Sequence, residues 1–262
     1  MKSWIEDDQN TQDEIVKELK KSGFNVTDFR IDAKEYRHYL KLARYENYSG
    51  YYGGGKGNNF AEKSLEHFIA AKLLDLSKED IYIDVASADA PTSDIYHRLF
   101  GCSSYQQDLI FPEGINGNVI GGDASDMPVK DGFATKIGLH CSFEHFEQDS
   151  DMRFIRETKR VLRKGGRLCI IPLYLFNKYA VHTDLSVFLP WKGVNFEPDA
   201  TVYCAKGYEN RHGRFYDVPH LITRVRNNLD GLKLTVYVVQ NAKDIDPSCY
   251  VRFVALLEKS AP

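Results

Sequence analysis

Residues 81 to 91 read IYIDVASADAP. The first residues of this stretch favour a β-strand that leads to Asp84, a run of small side chains follows, and Pro91 suits the first turn of a helix. In an open α/β sheet, a strand, a tight turn and a helix in this order form a ligand crevice that faces the positive end of the helix dipole. We therefore expect Asp84 to point into a binding site.

The composition is that of a soluble, globular protein. The chain has 262 residues, 43% of them apolar, and a formal net charge of −3, which gives no basis for a general nucleic-acid or membrane-surface role. The polar first twenty residues and the lack of a long apolar run predict a cytoplasmic protein. Five cysteines without CxxC spacing favour reduced thiols over a structural zinc site.

The turn after Asp84 resembles motif I of the class I S-adenosylmethionine-dependent methyltransferases. That family usually has glycines at the second, fourth and sixth positions after the strand acid, and here these are Ala86, Ala88 and Ala90. Because alanine disfavours positive φ, we expect the loop to run through ordinary backbone conformations. The resemblance implies S-adenosylmethionine as the cofactor, with contacts to Asp84, Ala86, Ser87 and Ala88.

The resemblance continues through the next two strands. A short strand, 104–108, ends in Asp108, where the family has the acid that holds the cofactor ribose. The stretch 118–133, NVIGGDASDMPVKDGF, resembles the third-strand pattern of the family, so the resemblance implies that Asp123 and Ala124 meet the adenine.

The fourth and fifth strands extend the match. The stretch 134–146, ATKIGLHCSFEHF, lacks the usual acid at Ala134 but ends in the Glu-His-apolar pattern of the family, and we add its His140 to the cofactor contacts. The closest match is 154–171, FIRETKRVLRKGGRLCII, a helix, a turn with two glycines and a strand.

These patterns together predict an α/β fold with a doubly wound, seven-stranded, mostly parallel sheet, an antiparallel terminal hairpin, a helical N-terminal extension and an insertion after strand five. We place the extension at residues 1–79 and the Rossmann-like methyltransferase domain at 80–262, with the insertion at 175–216. The glycine-rich tract 48–59 is interpreted as a lid, with Tyr51 or Tyr52 closing on the cofactor, or as a plain linker.

The insertion is rich in aromatic and basic residues and lies where the fold places the substrate. One interpretation is a pocket for a polar, anionic small molecule. The other is a cap that only completes the core. The substrate-binding candidates are Trp191, Arg211, His212 and Arg214.

The expected reaction is methylation of an oxygen of a small polar metabolite, sugar-like or anionic. Histidine is the natural candidate for a base near neutral pH, and we place His145 first, at a strand end, and His182 second, beside Asp184. His140 and His212 are weaker candidates, and transfer by alignment alone stays open. No metal is expected, because the acids that follow His145 suit a helix start.

The alternative function is a non-catalytic or cofactor-binding partner subunit of the methyltransferase fold. A dinucleotide oxidoreductase ranks third, because the Gly-x-Gly-x-x-Gly fingerprint is absent. The partner expected is a small-molecule substrate, without nucleic acid or membrane, and a homodimer is left open.

Overall fold

A twisted eight-stranded sheet forms the centre of the protein, in a computed structural model that describes residues 8–184, 186 and 194–260. Its strand order is β1-β10-β11-β6-β5-β2-β3-β4. The strands of this sheet are β1 (Asn25–Phe29), β2 (Ile81–Val85), β3 (Ser103–Asn116), β4 (Val119–Gly121), β5 (Ala134–His140), β6 (Leu162–Ile171), β10 (Leu232–Val239) and β11 (Phe253–Lys259).

Helices cover both faces of this sheet. They are α1 (Gln9–Lys21), α2 (Ala33–Ala43), α3 (Tyr52–Gly55), α4 (Phe60–Leu74), α5 (Thr92–Phe100), α6 (Ser150–Val161), α7 (Val218–His220) and α8 (Ala242–Ile245). After α7 the chain continues through a π-helical turn, Leu221–Val225, and a 3-10 turn, Arg226–Asn228. No helix in the described ranges is long and apolar enough to span a lipid bilayer.

The predicted doubly wound sheet is confirmed, with one added strand. The five neighbouring strands β6-β5-β2-β3-β4 pair in parallel. Strand β11 runs antiparallel to both of its neighbours, β6 and β10. The N-terminal segment is not wholly helical as expected, because β1 pairs in parallel with β10 at the sheet edge. The sheet therefore has eight strands instead of seven. The five residues of β1, NVTDF, are partly or fully exposed, so their sequence lacks the apolar run of a buried strand.

The insertion after β6 carries a second, three-stranded sheet. Its strands, in the order β8-β7-β9, are β7 (Ala180–Thr183), β8 (Thr201–Cys204) and β9 (Gly213–Phe215). This small sheet, here called the cap, lies beside the turn that follows β5, because β9 contacts residues 143–145. The cap therefore stands over the carboxyl ends of β5 and β6, where open α/β sheets bind ligands.

Helix α4 is buried on nearly all sides although its first half carries several polar and charged side chains. Glu62, Lys63, Glu66 and His67 are all less than a tenth exposed. Buried charged groups need partners, and Lys63 Nζ lies 2.7 Å from Glu66 Oε1. This helix places its polar side chains against the sheet edge that carries the site.

Candidate functional site

The loop after β2 has a left-handed backbone at two alanines. Ala86 has φ 50° and Ala88 has φ 47°. The expectation that alanines would keep this loop in ordinary conformations is therefore wrong. The loop keeps the shape that glycine adopts freely, at a strain cost of roughly 1–2 kcal/mol per residue.

The buried Gln107 side chain fixes this loop from the neighbouring strand. Its carboxamide donates to the carbonyl oxygen of Gly122 over 2.6 Å and accepts from the Ala86 N–H over 3.4 Å, while its backbone oxygen accepts from the Ser87 N–H. The loop after β2 and the turn after β4 are thus joined through one side chain, which the sequence analysis did not single out.

Asp108 lies at the end of the first part of β3, as predicted, and faces the same loop. Its Oδ2 accepts a hydrogen bond from the Ala88 N–H over 2.8 Å, and its Oδ1 accepts from the Ile110 N–H. The carboxylate is partly exposed, so lone pairs remain for a ligand.

Asp123 and Ala124 follow β4. The Asp123 side chain is exposed, and its Oδ1 accepts from both the N–H and the hydroxyl of Ser125. Its Oδ2 lies 3.6 Å from Arg153. Ala124 is buried beneath this turn, which leaves the acid at the rim of the crevice.

Asp84 and His140 sit deeper, in a buried polar group with Tyr82. The Tyr82 hydroxyl lies 3.4 Å from Asp84 Oδ1 and 3.1 Å from His140 Nε2. Burial raises the pKa of Asp84 to about 8 and lowers the pKa of His140 to about 3.

The buried acid fits the cofactor that the sequence pattern implies. Asp84 Oδ2 and His140 Nδ1 have no hydrogen-bond partner among the described residues, which is costly for buried polar atoms. S-adenosylmethionine carries an α-ammonium group that a buried carboxylate attracts. The unpartnered oxygen at the head of the β2 loop is therefore the feature that such a ligand would satisfy.

A cavity of about 550 Å³ opens beside this group, between the ends of β5 and β6, helix α4 and the cap. Its aromatic walls include Tyr52, Tyr174, Tyr208, Phe215, Tyr250 and Phe253. Its polar side chains include Lys63, Glu144, His145, His182, Asn210 and Arg252. This mixture suits an organic ligand with a few polar groups.

His145 lines the cavity in a fixed orientation. Its Nδ1 forms a short contact with the backbone oxygen of His212, and because a carbonyl only accepts, Nδ1 must carry the proton. In the neutral ring, Nε2 then holds the lone pair. Nε2 lies 3.6 Å from Glu144 Oε1, and the side chain is about a third exposed.

His182 also lines the cavity, on β7 of the cap. Its ring packs against Tyr203, Tyr208 and Phe215, and burial lowers its pKa to about 4. The carboxylate of Asp184, expected to orient this ring, accepts hydrogen bonds from three backbone N–H groups, those of Ser186, Gly207 and Glu209.

The predicted substrate contacts are not brought together in the cavity. Trp191 lies outside the described residues. Arg211 is half-exposed and pairs with Glu147 at 2.7 Å. His212 is buried, with Nδ1 donating to the backbone oxygen of Glu144 and Nε2 3.7 Å from Glu197.

Arg214 is fully buried and uses its guanidinium within the protein. Its five acceptors are Tyr179 Oη, Phe146 O, Gln148 O, Asp151 Oδ2 and Glu197 Oε1. A guanidinium has five N–H groups, so none is left for a substrate. The geometry therefore makes Arg214 a clamp between the cap and the segment before α6, in place of the predicted substrate contact.

Two cavity residues were missed by the sequence analysis. Lys63 belongs to α4, to which the sequence patterns assigned no function, and Arg252 stands directly before β11. Neither belongs to a motif, so only the fold brings them to the cavity. The glycine-rich tract contributes Tyr52 to the same wall, while the Tyr51 hydroxyl lies 3.3 Å from His67 Nε2.

The fold and the site define a class of protein. A parallel sheet with a reversed terminal hairpin, a glycine-like loop after the first central strand and acids at the ends of the next two strands are typical of Rossmann-like methyltransferases. Residues 52–170, a little under half of the chain, match a family model described as a methyltransferase domain. This match supports a class I S-adenosylmethionine-dependent methyltransferase with S-adenosylmethionine as the cofactor.

A solved methyltransferase structure has a similar fold. The chain is similar to the Burkholderia thailandensis 1,6-didemethyltoxoflavin-N1-methyltransferase, solved with 1,6-didemethyltoxoflavin and S-adenosylhomocysteine bound, with 12% identity, coverage of 88% of this chain and 91% of that one, and a TM-score of 0.52. The geranyl diphosphate C-methyltransferase of Streptomyces coelicolor A3(2) has 12% identity, coverage of 80% and 81%, and a TM-score of 0.49. No curated protein matches the chain significantly.

Proposed function

We propose that this enzyme transfers the methyl group of S-adenosylmethionine to a hydroxyl oxygen of a small polar metabolite, sugar-like or anionic. The observation that carries this proposal is the cavity of about 550 Å³ at the carboxyl ends of β5 and β6, lined by aromatic rings and polar side chains. A volume of this size suits a small molecule better than a polymer chain.

The cofactor site in this proposal is a row of acids. Asp84 binds the ammonium group, Asp108 the ribose hydroxyls and Asp123 the adenine amine, in the order in which β2, β3 and β4 lie in the sheet. The turn residues Ala86, Ser87, Ala88 and Ala124 line the space between these acids. His140 supports the row through Tyr82, which contacts both His140 and Asp84.

The cofactor supplies a methyl group on a positively charged sulfur. In-line displacement disperses that charge, so the protein contributes mainly alignment and the exclusion of water. Tyr52 from the glycine-rich tract and Tyr208 from the cap contact the cavity from two sides. We assign the tract 48–59 the role of a lid that closes with ligands bound.

His145 is the proposed base. Its neutral ring presents the Nε2 lone pair beside the cavity because the carbonyl of His212 fixes the proton on Nδ1. Glu144, 3.6 Å away, stabilises the imidazolium that forms on proton uptake. His182 is the second candidate, disfavoured because burial lowers its pKa to about 4 and makes it a weak base.

Two further assignments belong to this proposal. The reaction needs no metal, so a chelator such as EDTA should leave the rate unchanged, and loss of activity that magnesium restores would contradict this. Among residues 8–184, 186 and 194–260, no three metal-ligating side chains cluster. A homodimer stays a prediction that sedimentation equilibrium can test.

The test is release of S-adenosylhomocysteine with a panel of hydroxylated and aminated small acids and sugars. We expect turnover with a hydroxyl acceptor, and turnover that is confined to amines or carbon nucleophiles would contradict O-methylation. His145→Gln should lower the rate by about 10²–10⁴ while cofactor affinity is kept, with His182→Gln as the matched variant. Near-normal rates in both variants would leave alignment alone as the source of catalysis.

A further inference from the structure

Arg252 is a cavity residue whose charge is not matched. It lies directly before β11 and lines the cavity beside Tyr250 and Phe253. Its Nε is shielded from solvent, and among the described residues no acceptor lies within hydrogen-bonding distance of it. An unpaired buried donor on a charged group destabilises the protein, and a ligand that accepts from it removes that cost.

The other basic side chains on the cavity wall have partners. Lys63 Nζ is ion-paired with Glu66 Oε1 at 2.7 Å and lies 5.5 Å from the Tyr250 ring centre. His145 Nδ1 donates to a backbone oxygen, and the His182 ring is enclosed by aromatic neighbours. Arg252 is thus the cavity cation that has no ion-pair partner among the described residues.

The backbone around Arg252 is held in place without the guanidinium. The Tyr250 N–H donates to Glu62 Oε2 over 2.8 Å, and the Arg252 carbonyl accepts from the Val239 N–H over 2.8 Å. Val251 and Phe253 on either side are buried. The side chain is therefore carried by backbone that is fixed on both sides, which suits a binding group because little order is lost when a ligand binds.

We propose that Arg252 binds an anionic group of the methyl acceptor, a carboxylate or a phosphate, and so selects acidic acceptors. This inference rests on the proposed function, because it takes the cavity as the acceptor site. The planar guanidinium fits both oxyanions through paired N–H donors. The apolar rings of Tyr250 and Phe253 beside it favour an acid carried on a ring or another apolar body.

The test uses benzoate, phenyl phosphate and the neutral benzamide as probes, titrated into protein saturated with S-adenosylhomocysteine. We expect the better of the two anions to bind roughly ten- to a hundredfold more tightly than benzamide, the range for a charge-assisted hydrogen bond. Tighter binding of benzoate would indicate a carboxylate on the acceptor, and tighter binding of phenyl phosphate would indicate a phosphate. Arg252→Gln should abolish the preference for the anions and keep benzamide binding. Arg163 is exposed and lies outside the cavity, so the control variant Arg163→Gln should keep the preference for the anions.

Three results would overturn the assignment: equal affinity for the anions and benzamide, no anion binding, or an unchanged preference in Arg252→Gln. Weakened S-adenosylhomocysteine binding in Arg252→Gln would also overturn it, because Arg252 would then serve the cofactor. Failure of the proposed function is read separately, from turnover that is confined to amine or carbon acceptors.

Discussion

Asp108 Oδ2 accepts a hydrogen bond from the backbone N–H of Ala88 over 2.8 Å. The same carboxylate occupies the position where the family binds the cofactor ribose. One side chain therefore both fixes the strained loop and offers its remaining lone pairs to a ligand. Variants of this residue can separate the two roles, because asparagine keeps an acceptor for Ala88 but loses the charge.

The left-handed alanines predict a stabilising substitution. Glycine at Ala86 or Ala88 removes the steric cost of positive φ but adds flexibility to the unfolded chain, so each change should raise the free energy of unfolding by up to about 1 kcal/mol. Urea denaturation measures it. Ala90 is the matched control, because it lies in the same loop without positive φ, and Ala90→Gly should destabilise. The account fails here if both Ala86→Gly and Ala88→Gly destabilise like Ala90→Gly.

Asp84 should make the ligand-free protein less stable as the pH rises. Its pKa is raised from 3.8 to about 8 by burial, so the folded state resists ionisation. Below pH 4 the Asp84 carboxyl is protonated in both the folded and the unfolded state, so it does not change the free energy of unfolding. Between pH 4 and 8 it ionises only in the unfolded state, so the free energy of unfolding falls as the pH rises. Above pH 8 the loss is complete.

Asp84→Asn isolates this effect, since other groups cancel in the difference between variant and wild type. Its stability advantage over the wild type should grow from pH 4 to pH 8, measured by denaturation at each pH, and S-adenosylhomocysteine binding should weaken. A pH-independent difference would show that Asp84 is ionised in the folded protein.

The Arg214 clamp predicts a large loss of stability. Arg214→Met leaves the buried carboxylate of Asp151 and that of Glu197 without this cation, which should cost roughly 3–5 kcal/mol in unfolding free energy. Arg211→Met removes a half-exposed pair with Glu147 and should cost less than about 1 kcal/mol. Similar losses in the two variants would contradict the clamp.

Gly213 leaves room for the Tyr208 ring at the cavity. A Cβ at Gly213 would lie 1.9 Å from the Tyr208 hydroxyl oxygen, so Gly213→Ala must displace that ring. We expect a loss of roughly 1–3 kcal/mol that disappears in the Tyr208→Ala background, read from a double-mutant cycle on unfolding. If the effects of the two substitutions are additive, Gly213 and Tyr208 are not in contact.

The sequence motifs predict the structure best where a local pattern determines it. The acids Asp84, Asp108 and Asp123 lie at three neighbouring strand ends, as their place in the sequence pattern predicts. A strand-end acid followed by small residues is a local signal, so its place follows from the order of strands.

Other features depend on contacts between distant parts of the chain. Ala86 and Ala88 adopt positive φ because Gln107 and Asp108 bind their N–H groups, which no local propensity reveals. The arginine expected at the substrate, Arg214, is enclosed by its own neighbours, while Arg252 reaches the cavity only through the pairing of β11 with β6. Composition alone does not tell a clamp from a binding group.

Isothermal titration of S-adenosylhomocysteine tests the central claim most directly, that acids at the ends of β2, β3 and β4 bind the cofactor. The wild-type protein should bind one equivalent. Asp108→Asn should bind roughly tenfold or more weakly, because it loses charge-assisted hydrogen bonds to the ribose diol, and Asp108→Ala should bind more weakly still, because it also releases the loop at Ala88. The absence of binding to the wild type, or equal affinity in all three proteins, would contradict the account.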